Sequence, residues 1–345
     1  MAAAGRGGRR GGRPTLEEVA ARAGVGRGTV SRVVNGSPRV SPRTRAAVER
    51  AIAELGYVPH GAARALAADR TDAVALVIPE PETRLFAEPY FSGIIRGVGA
   101  GLADTDLQLL LILVRTPKER ERLGQYLTAH RVDGVLLVSV RQDDPLPDLL
   151  SRLELPAVLS GRRSARETVP YVDSDNAGGA RAAVRHLLER GRRVIATVAG
   201  PPDMYAAQCR LAGYREALAD AGHGADEALI VPADFTEDGG RRAMAALLDR
   251  RPDVDAVFAA SDVMAAGALA VLRERGRRVP ADVALVGFDD STVARHLDPP
   301  LTSVRQPIEE MGRAMARVLV EELGERSRER PQHVLPTELV VRESS

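Results

Sequence analysis

Apolar residues between positions 16 and 55 fall into three short blocks at helical spacing. Leu16, Val19, Ala20 and Ala23 form one stripe, opened by Thr15-Leu-Glu-Glu18 in the spacing of a capping box and stopped by Gly24. A second helix is expected over about 27–35, closed by Gly36 and Pro38. On a helical wheel Val30, Val33 and Val34 fall on one side, and Gly28, Ser31, Arg32 and Asn35 on the other, with Arg27 and Thr29 flanking. Ser41-Pro42 supplies an N-cap and a first-turn proline for a third helix, whose buried face is Val48, Ile52 and Leu55 and whose stop is Gly56. Pro59 and an alanine-rich stretch, 60–68, follow.

From residue 73 the rhythm changes to short continuous apolar runs: 73–78, 107–114, 134–138, 157–159, 194–198, 256–259 and 283–286, with a last strand-like segment at 334–341. Amphipathic stretches separate them, among them 91–102, 178–189, 211–221, 239–248 and 263–275. Continuous apolar strands alternating with helices imply parallel sheets covered on both faces. Seven or more such units suit two sheets better than one. The expected fold class is therefore α/β, preceded by a small all-α unit.

Charge sharpens this division. Residues 1–70 carry thirteen Arg against five acids, a balance of +8, so the remainder of a chain of net charge +1 carries −7. Such asymmetry points to nucleic acid at the basic end. A GC-rich coding sequence accounts for the near-exclusive use of Arg over Lys, but not for its position. Residues 1–13 hold four Arg, no acid and no large apolar side chain, and are expected to form a disordered basic arm that adds non-specific phosphate attraction. The longest apolar runs are too short to span a bilayer and no secretory signal is apparent, so a cytoplasmic protein without membrane contact is expected. One cysteine, Cys209, excludes an internal disulfide and a multi-cysteine zinc site, and no cofactor is expected. No nucleophile elbow, phosphate loop or His-rich metal motif appears, and the glycine triplets at 24–28 and 97–101 lack the spacing of a dinucleotide fingerprint. The chain is not expected to be an enzyme.

A short helix with a valine base and an Arg/Ser/Asn top suits insertion into a major groove, where Arg can bridge guanine O6 and N7. An ordinary solvated helix would look similar. The segments TLEEVAARAGVGRGTVSRVVNG, VSPRTRAAVERAIAELGYVP and AARALA resemble the headpiece and hinge of the lactose-repressor family, and the resemblance covers residues 14–342. It implies a second helix in the major groove and paired hinge helices in the minor groove, where Leu66 wedges between base pairs. The candidate DNA contacts are Thr15, Arg27, Thr29, Ser31, Arg32, Asn35, Ala63 and Leu66. Gly26 and Gly28 stand where many relatives carry polar side chains, so base readout falls mainly on Arg27 and Arg32.

The resemblance further implies a core shared with periplasmic sugar-binding proteins, two α/β subdomains around a cleft. The division becomes a basic arm at 1–13, a headpiece at 14–59, a hinge helix at 60–70, one subdomain of 71–173 with 308–335, and another of 174–307 with 336–342. Crossings are expected near 173–176, 304–306 and 336. Ligands in such folds bind at the carboxyl ends of strands. Tyr90, Phe91, Ser139, Arg162, Arg210, Phe235, Asp262 and Asp289 are the candidate effector contacts. Arg210 matches the family's effector-contacting arginine, and Phe235 an aromatic that packs on the ligand ring. Asp175 and Asp290 read better as caps or backbone partners. Gly161 and Ser261 replace Asp and Asn of some sugar-sensing relatives, which leaves the effector open. The implied partners are palindromic double-stranded DNA, a carbohydrate effector and a second copy of the chain; no leucine heptad follows 334–341, so a homodimer is expected. The expected function is a DNA-binding repressor controlled by that effector. A periplasmic solute binder would share the core but needs an export signal and no headpiece. A regulator that has lost its effector stays open.

Overall fold

The computed structural model describes residues 14–34, 37–57, 70–324 and 331–345. They divide into two units, one ending at Thr71 and the other spanning Asp72–Ser345.

The first unit holds α1 (Leu16–Ala23), α2 (Arg27–Val34) and α3 (Pro42–Leu55). Thr15 closes a complete capping box: its hydroxyl accepts from the Glu18 amide, and the Glu18 carboxylate accepts from the Thr15 amide at 2.8 Å. Gly24 and Gly56 end α1 and α3 in the left-handed region, at φ 68° and 62°, where a β-carbon would be strained. Ser41 caps α3 by accepting from the Thr44 amide. Val19, Ala20, Val30, Val33, Val48 and Ala51 form the core, joined by Tyr57, which the periodicity did not single out.

In the second unit β1 (Ala73–Ile78), β2 (Gln108–Leu113), β3 (Gly134–Leu137), β4 (Ala157–Ser160), β5 (Tyr171–Ser174) and β11 (Gln332–Leu335) build one sheet. Its order is β11-β5-β4-β3-β1-β2, parallel throughout. A second sheet has the order β12-β10-β9-β8-β6-β7, with β6 (Ile195–Ala199), β7 (Ile230–Pro232), β8 (Ala256–Ala259), β9 (Ala284–Asp289), β10 (Thr302–Arg305) and β12 (Glu338–Val340). Here β12 runs antiparallel to β10, a departure from the purely parallel sheets expected. The single strand expected over 334–341 is in fact two, β11 and β12, one in each sheet, because Pro336 interrupts the ladder.

Helices cover both faces of each sheet. On the first, α4 (Glu82–Ala87), α5 (Pro89–Leu102) and α13 (Ile308–Gly324) take one side, and α6 (Pro117–Thr128) and α7 (Leu146–Arg152) the other. β1 shows why an unbroken apolar run is required: Val74, Leu76 and Ile78 face α5 and α13, whereas Ala75 and Val77 face α6 and α7. On the second sheet α8 (Asn176–Glu189) and α9 (Tyr205–Asp220) oppose α10 (Glu237–Arg250) and α11 (Asp262–Glu274), with α12 (Thr292–His296) at the rim.

Between α5 and α13 the backbones nearly touch. A β-carbon on Gly97 would lie 2.2 Å from the Glu309 carbonyl oxygen, and one on Gly312 would lie 2.5 Å from that of Ile94.

The chain passes between the sheets three times: from β5 to α8, from β10 to α13 and from β11 to β12. The crossings are hydrogen-bonded to one another. The Ser174 hydroxyl donates to Gln306 Oε1 at 2.6 Å, the Asp175 amide to the Leu335 carbonyl at 2.8 Å, and the Thr337 hydroxyl to the Asp175 carbonyl at 3.2 Å. Such a seam holds the two halves in register while leaving their faces apart as a cleft. Among the described residues no helix is long and apolar enough to cross a membrane.

Candidate functional site

Two surfaces hold the sequence candidates. On the first unit, α2 buries Val30 and Val33, and this turns Arg27, Gly28 and Arg32 to solvent with Thr29 and Ser31 half-buried beside them. Arg27 reaches back to Glu17 of α1 at 3.2 Å, an exposed pair of small energetic weight that a phosphate could displace. A β-carbon on Gly26 or Gly28 would meet nothing within 4 Å. Packing therefore does not demand glycine there; the effect is bare backbone on either side of Arg27. Thr15 sits at the exposed start of α1, its hydroxyl engaged in the cap. Asn35, Ala63 and Leu66 lie outside the described residues.

The second surface is the cleft between the two sheets, about 690 Å³ of atom-free space including its mouth. Seven of the eight effector candidates line it: Tyr90, Phe91, Ser139 and Arg162 from the first half, and Arg210, Phe235 and Asp289 from the second.

Arg210, on α9, is almost wholly buried. Its Nε donates to Asn176 Oδ1 at 2.8 Å and its Nη1 to the Ala260 carbonyl at 2.5 Å, while Asp289 Oδ1 stands 3.7 Å away. The guanidinium lies 3.8 Å from the centroid of the Phe288 ring and 5.7 Å from that of Phe235. Burial pulls its pKa below the ordinary arginine value, with Asp289 resisting. The same burial raises the Asp289 carboxyl against the pull of Arg210, and Gln306 Nε2 donates to it at 2.6 Å. These groups present fixed donors and acceptors beside an aromatic face, the combination that binds a sugar ring.

On the opposite wall the Tyr90 hydroxyl and Ser160 Oγ are 2.7 Å apart. Arg162 Nε donates to Asp173 at 2.9 Å and stacks between Tyr171 and Tyr205. Ser139 donates to the buried Glu80 at 2.6 Å. Ser139, Phe235 and Asp289 all adopt positive φ, at 58°, 64° and 114°. Each is a non-glycine residue held in a costly backbone conformation at the cleft rim, where such strain aims a side chain.

Asp262 is not brought to the cleft. Its carboxylate is fully buried, accepting from the Ser303 hydroxyl at 2.6 Å and the Ser291 amide at 2.7 Å, and burial raises its pKa. Ser261, one residue earlier, lines the space and caps α11. Asp175 caps α8, and Asp290 accepts from Arg305 and Arg342, so both carboxylates serve the scaffold.

Sequence reasoning missed Arg84, Glu88, Asn176 and Gln306, all in the lining. Asn176 and Gln306 sit on crossings, and that position was the available signal. Arg84 and Glu88 belong to the short stretch around α4 between Pro81 and Pro89, which has no apolar stripe to mark it. Among the described residues no group of three or more His, Cys, Asp or Glu is placed to hold a metal ion.

Comparison with known proteins finds relatives for both units. Residues 15–60 match the family described as bacterial regulatory proteins, lacI family, and residues 184–345 match the periplasmic binding protein-like domain. The chain is 58% identical over 334 residues to the HTH-type transcriptional regulator CelR of Thermobifida fusca, covering 96% of this chain and 98% of that protein. It is 35% identical over 335 residues to the ribose operon repressor of Halalkalibacterium halodurans, covering 96% and 97%. Among solved structures, a CelR–cellobiose complex matches at TM-score 0.78 and 56% identity over 96% of this chain and all of that one. The lac repressor dimer bound to operator and an anti-inducer matches at TM-score 0.83 and 27% identity, covering 96% and 99%.

Proposed function

The chain belongs to the lacI family of bacterial regulatory proteins, and from that premise we propose that it is an operator-binding repressor whose DNA affinity is set by cellobiose or a closely related β-linked disaccharide. The observation that carries the effector assignment is the convergence of Arg210, Asp289, Gln306 and Phe235 on one cleft, in a chain 56% identical to a regulator solved with cellobiose.

In this reading residues 14–59 dock on DNA, 60–70 form the hinge that carries Ala63 and Leu66 into the minor groove, and 71–345 sense the ligand. Arg27 and Arg32 read bases from α2, while Thr15, Thr29, Ser31 and Asn35 position the backbone. The protein works in the cytoplasm as a homodimer on a palindromic site. The half-exposed leucines of the edge strand β2, Leu111 most of all, support a second copy lying against that edge. It catalyses nothing; the cleft is a sensor.

Control follows from unequal binding to two arrangements of the core. A disaccharide touching Tyr90 and Phe91 on one half and Arg210 and Asp289 on the other draws the halves together about the three-stranded seam. The hinge segments attached ahead of β1 move with the first half. The test is calorimetric titration with cellobiose, followed by operator binding with and without it; no heat from cellobiose or other glucose disaccharides would sink the effector assignment.

Arg32→Ala isolates the reading step. Loss of a bidentate guanine contact costs about 1–3 kcal/mol and relaxes preference at one base pair per half-site. A binding-site selection on the variant should show that relaxed position. Cellobiose affinity should stay unchanged, since the two surfaces belong to separate units.

A further inference from the structure

We propose that Glu88 is a specificity-determining residue of the effector cleft: by neutralising Arg84, it restricts the cleft to uncharged sugars and keeps out those bearing a carboxylate or phosphate. The inference rests on the effector reading above and deepens it.

Three arginines line the cleft, Arg84, Arg162 and Arg210, and each faces a carboxylate. Arg162 is held by Asp173 at 2.9 Å, and Arg210 stands 3.7 Å from Asp289. Arg84 is the most completely compensated. Its Nε and Nη2 both point to the two oxygens of Glu88, and its Nη1 lies 2.7 Å from Glu80. All three side chains are about nine-tenths buried or more. The lining thus carries three cations against the three anions Glu88, Asp173 and Asp289, and two further buried acids, Glu80 and Asp262, stand close behind.

Such a cleft offers acceptors to hydroxyl groups and no uncommitted cation to an anion. A ligand carboxylate would have to enter a low-dielectric space already balanced or negative, where charge is far more costly than in water. Arg84 occupies the pivotal place. It lies 5.9 Å from the centroid of the Phe91 ring and 5.6 Å from that of Phe235, so it meets the ligand between aromatics from both halves. If Glu88 were neutral, Arg84 would retain only Glu80, which also accepts from Ser139 at 2.6 Å and faces Arg141 at 3.7 Å. Arg84 would then be the natural seat for an anionic sugar.

Burial pushes the Glu88 carboxyl up to about 7, outweighing the pull of Arg84, with Asp289 and Glu80 adding to the rise. Across the space Arg210, Arg162 and Asp173 complete the charges that face it. Selectivity should therefore weaken as the pH falls through neutrality, because protonation of Glu88 exposes Arg84 electrostatically.

The experiment titrates the full-length wild type and Glu88→Gln with cellobiose and with cellobiose oxidised at C6 to a uronate, which stays ionised across the range. Measurements at pH 8 and pH 6 bracket the Glu88 value of about 7. The expected wild type prefers the neutral sugar by at least about tenfold at pH 8 and less at pH 6. In Glu88→Gln the preference falls by about tenfold and changes less between pH 8 and pH 6 than in the wild type, the remaining change belonging to Asp289, whose carboxyl burial raises to about 6. A wild type that binds both sugars equally at pH 8, or a folded Glu88→Gln that keeps the full preference, overturns the proposal. The wild-type comparison decides even if the variant does not fold. A wild type that binds neither sugar overturns the effector assignment itself, and this proposal with it.

Discussion

Arg210→Ala will bind operator as the wild type does and will ignore the effector. Arg210 is fixed by Asn176 and the Ala260 carbonyl, so its fork is already aimed before any ligand arrives. Truncating it removes those donors and strands the Asp289 carboxylate without its cation. Each hydrogen bond lost between a charged group and a ligand hydroxyl costs about 1.5–3 kcal/mol, roughly one to two orders of magnitude in effector affinity. Because coupling between two ligands is reciprocal, a core that cannot take effector cannot transmit it to DNA. Operator binding measured with and without cellobiose, beside cellobiose calorimetry, checks this. Retained operator affinity in the variant would also show that its fold survives. An undiminished effector response would move the site away from Arg210 and leave the headpiece reading standing.

The second large effect concerns two glycines on one helix. Gly97→Ala should destabilise the core by about 3 kcal/mol or more, while Gly99→Ala should stabilise it by roughly 0.5–1 kcal/mol. At Gly97 the new methyl would meet backbone of α13, the Glu309 carbonyl oxygen at 2.2 Å and the Gly312 Cα at 3.0 Å, so no side-chain rotation can make room. The helices must separate, and Met311, Met315 and Leu319 are then drawn off the sheet they cover. At Gly99 nothing lies within 4 Å, and alanine only restricts the unfolded chain. Chemical denaturation of the two variants side by side should give midpoints displaced in opposite directions. Equal displacements would mean that the α5–α13 contact is not as close as described.

What could be read in advance follows from how local each signal is. The headpiece was legible almost entirely, since Thr15, Gly24, Ser41, Pro42 and Gly56 act on neighbours within four residues. Strands β1, β3 and β8 were legible because both their faces are covered and all but one of their residues are buried. β5 and β10 were not. Tyr171–Ser174 and Thr302–Arg305 are strands whose buried residues include Asp173, Ser174, Thr302 and Ser303, so no apolar run marks them. Their polar groups are satisfied by partners far along the chain, Gln306 for Ser174 and Ser344 for the Thr302 amide, which no local pattern can show. The cleft follows the same rule. Residues at strand ends, such as Ser139 and Asp289, could be placed by position, and Phe235 only through the family resemblance. Asp262 could not, because whether a strand-end acid faces the cleft or the interior depends on Ser291 and Ser303. Arg84 and Glu88 stayed hidden because their role depends on the pairing of side chains across one turn, in a segment without periodicity.

While the chain is being made, the half that is begun first cannot be finished first. β1 to β5 have been synthesised by residue 174, yet the helix covering one face of their sheet and the strand at its edge arrive only with residues 308–335. At about 5–20 residues per second the ribosome needs roughly 8–30 s to cover that interval. Throughout it, Val74, Leu76, Val158 and Val172 lack the cover of Met311, Met315 and Leu319. The other half, by contrast, has five of its six strands within residues 176–306 and can close while the first still waits. Chains truncated after residue 306 should therefore present a protease-resistant later half attached to an accessible earlier one, and during synthesis that apolar sheet face is open to chaperones on the ribosome.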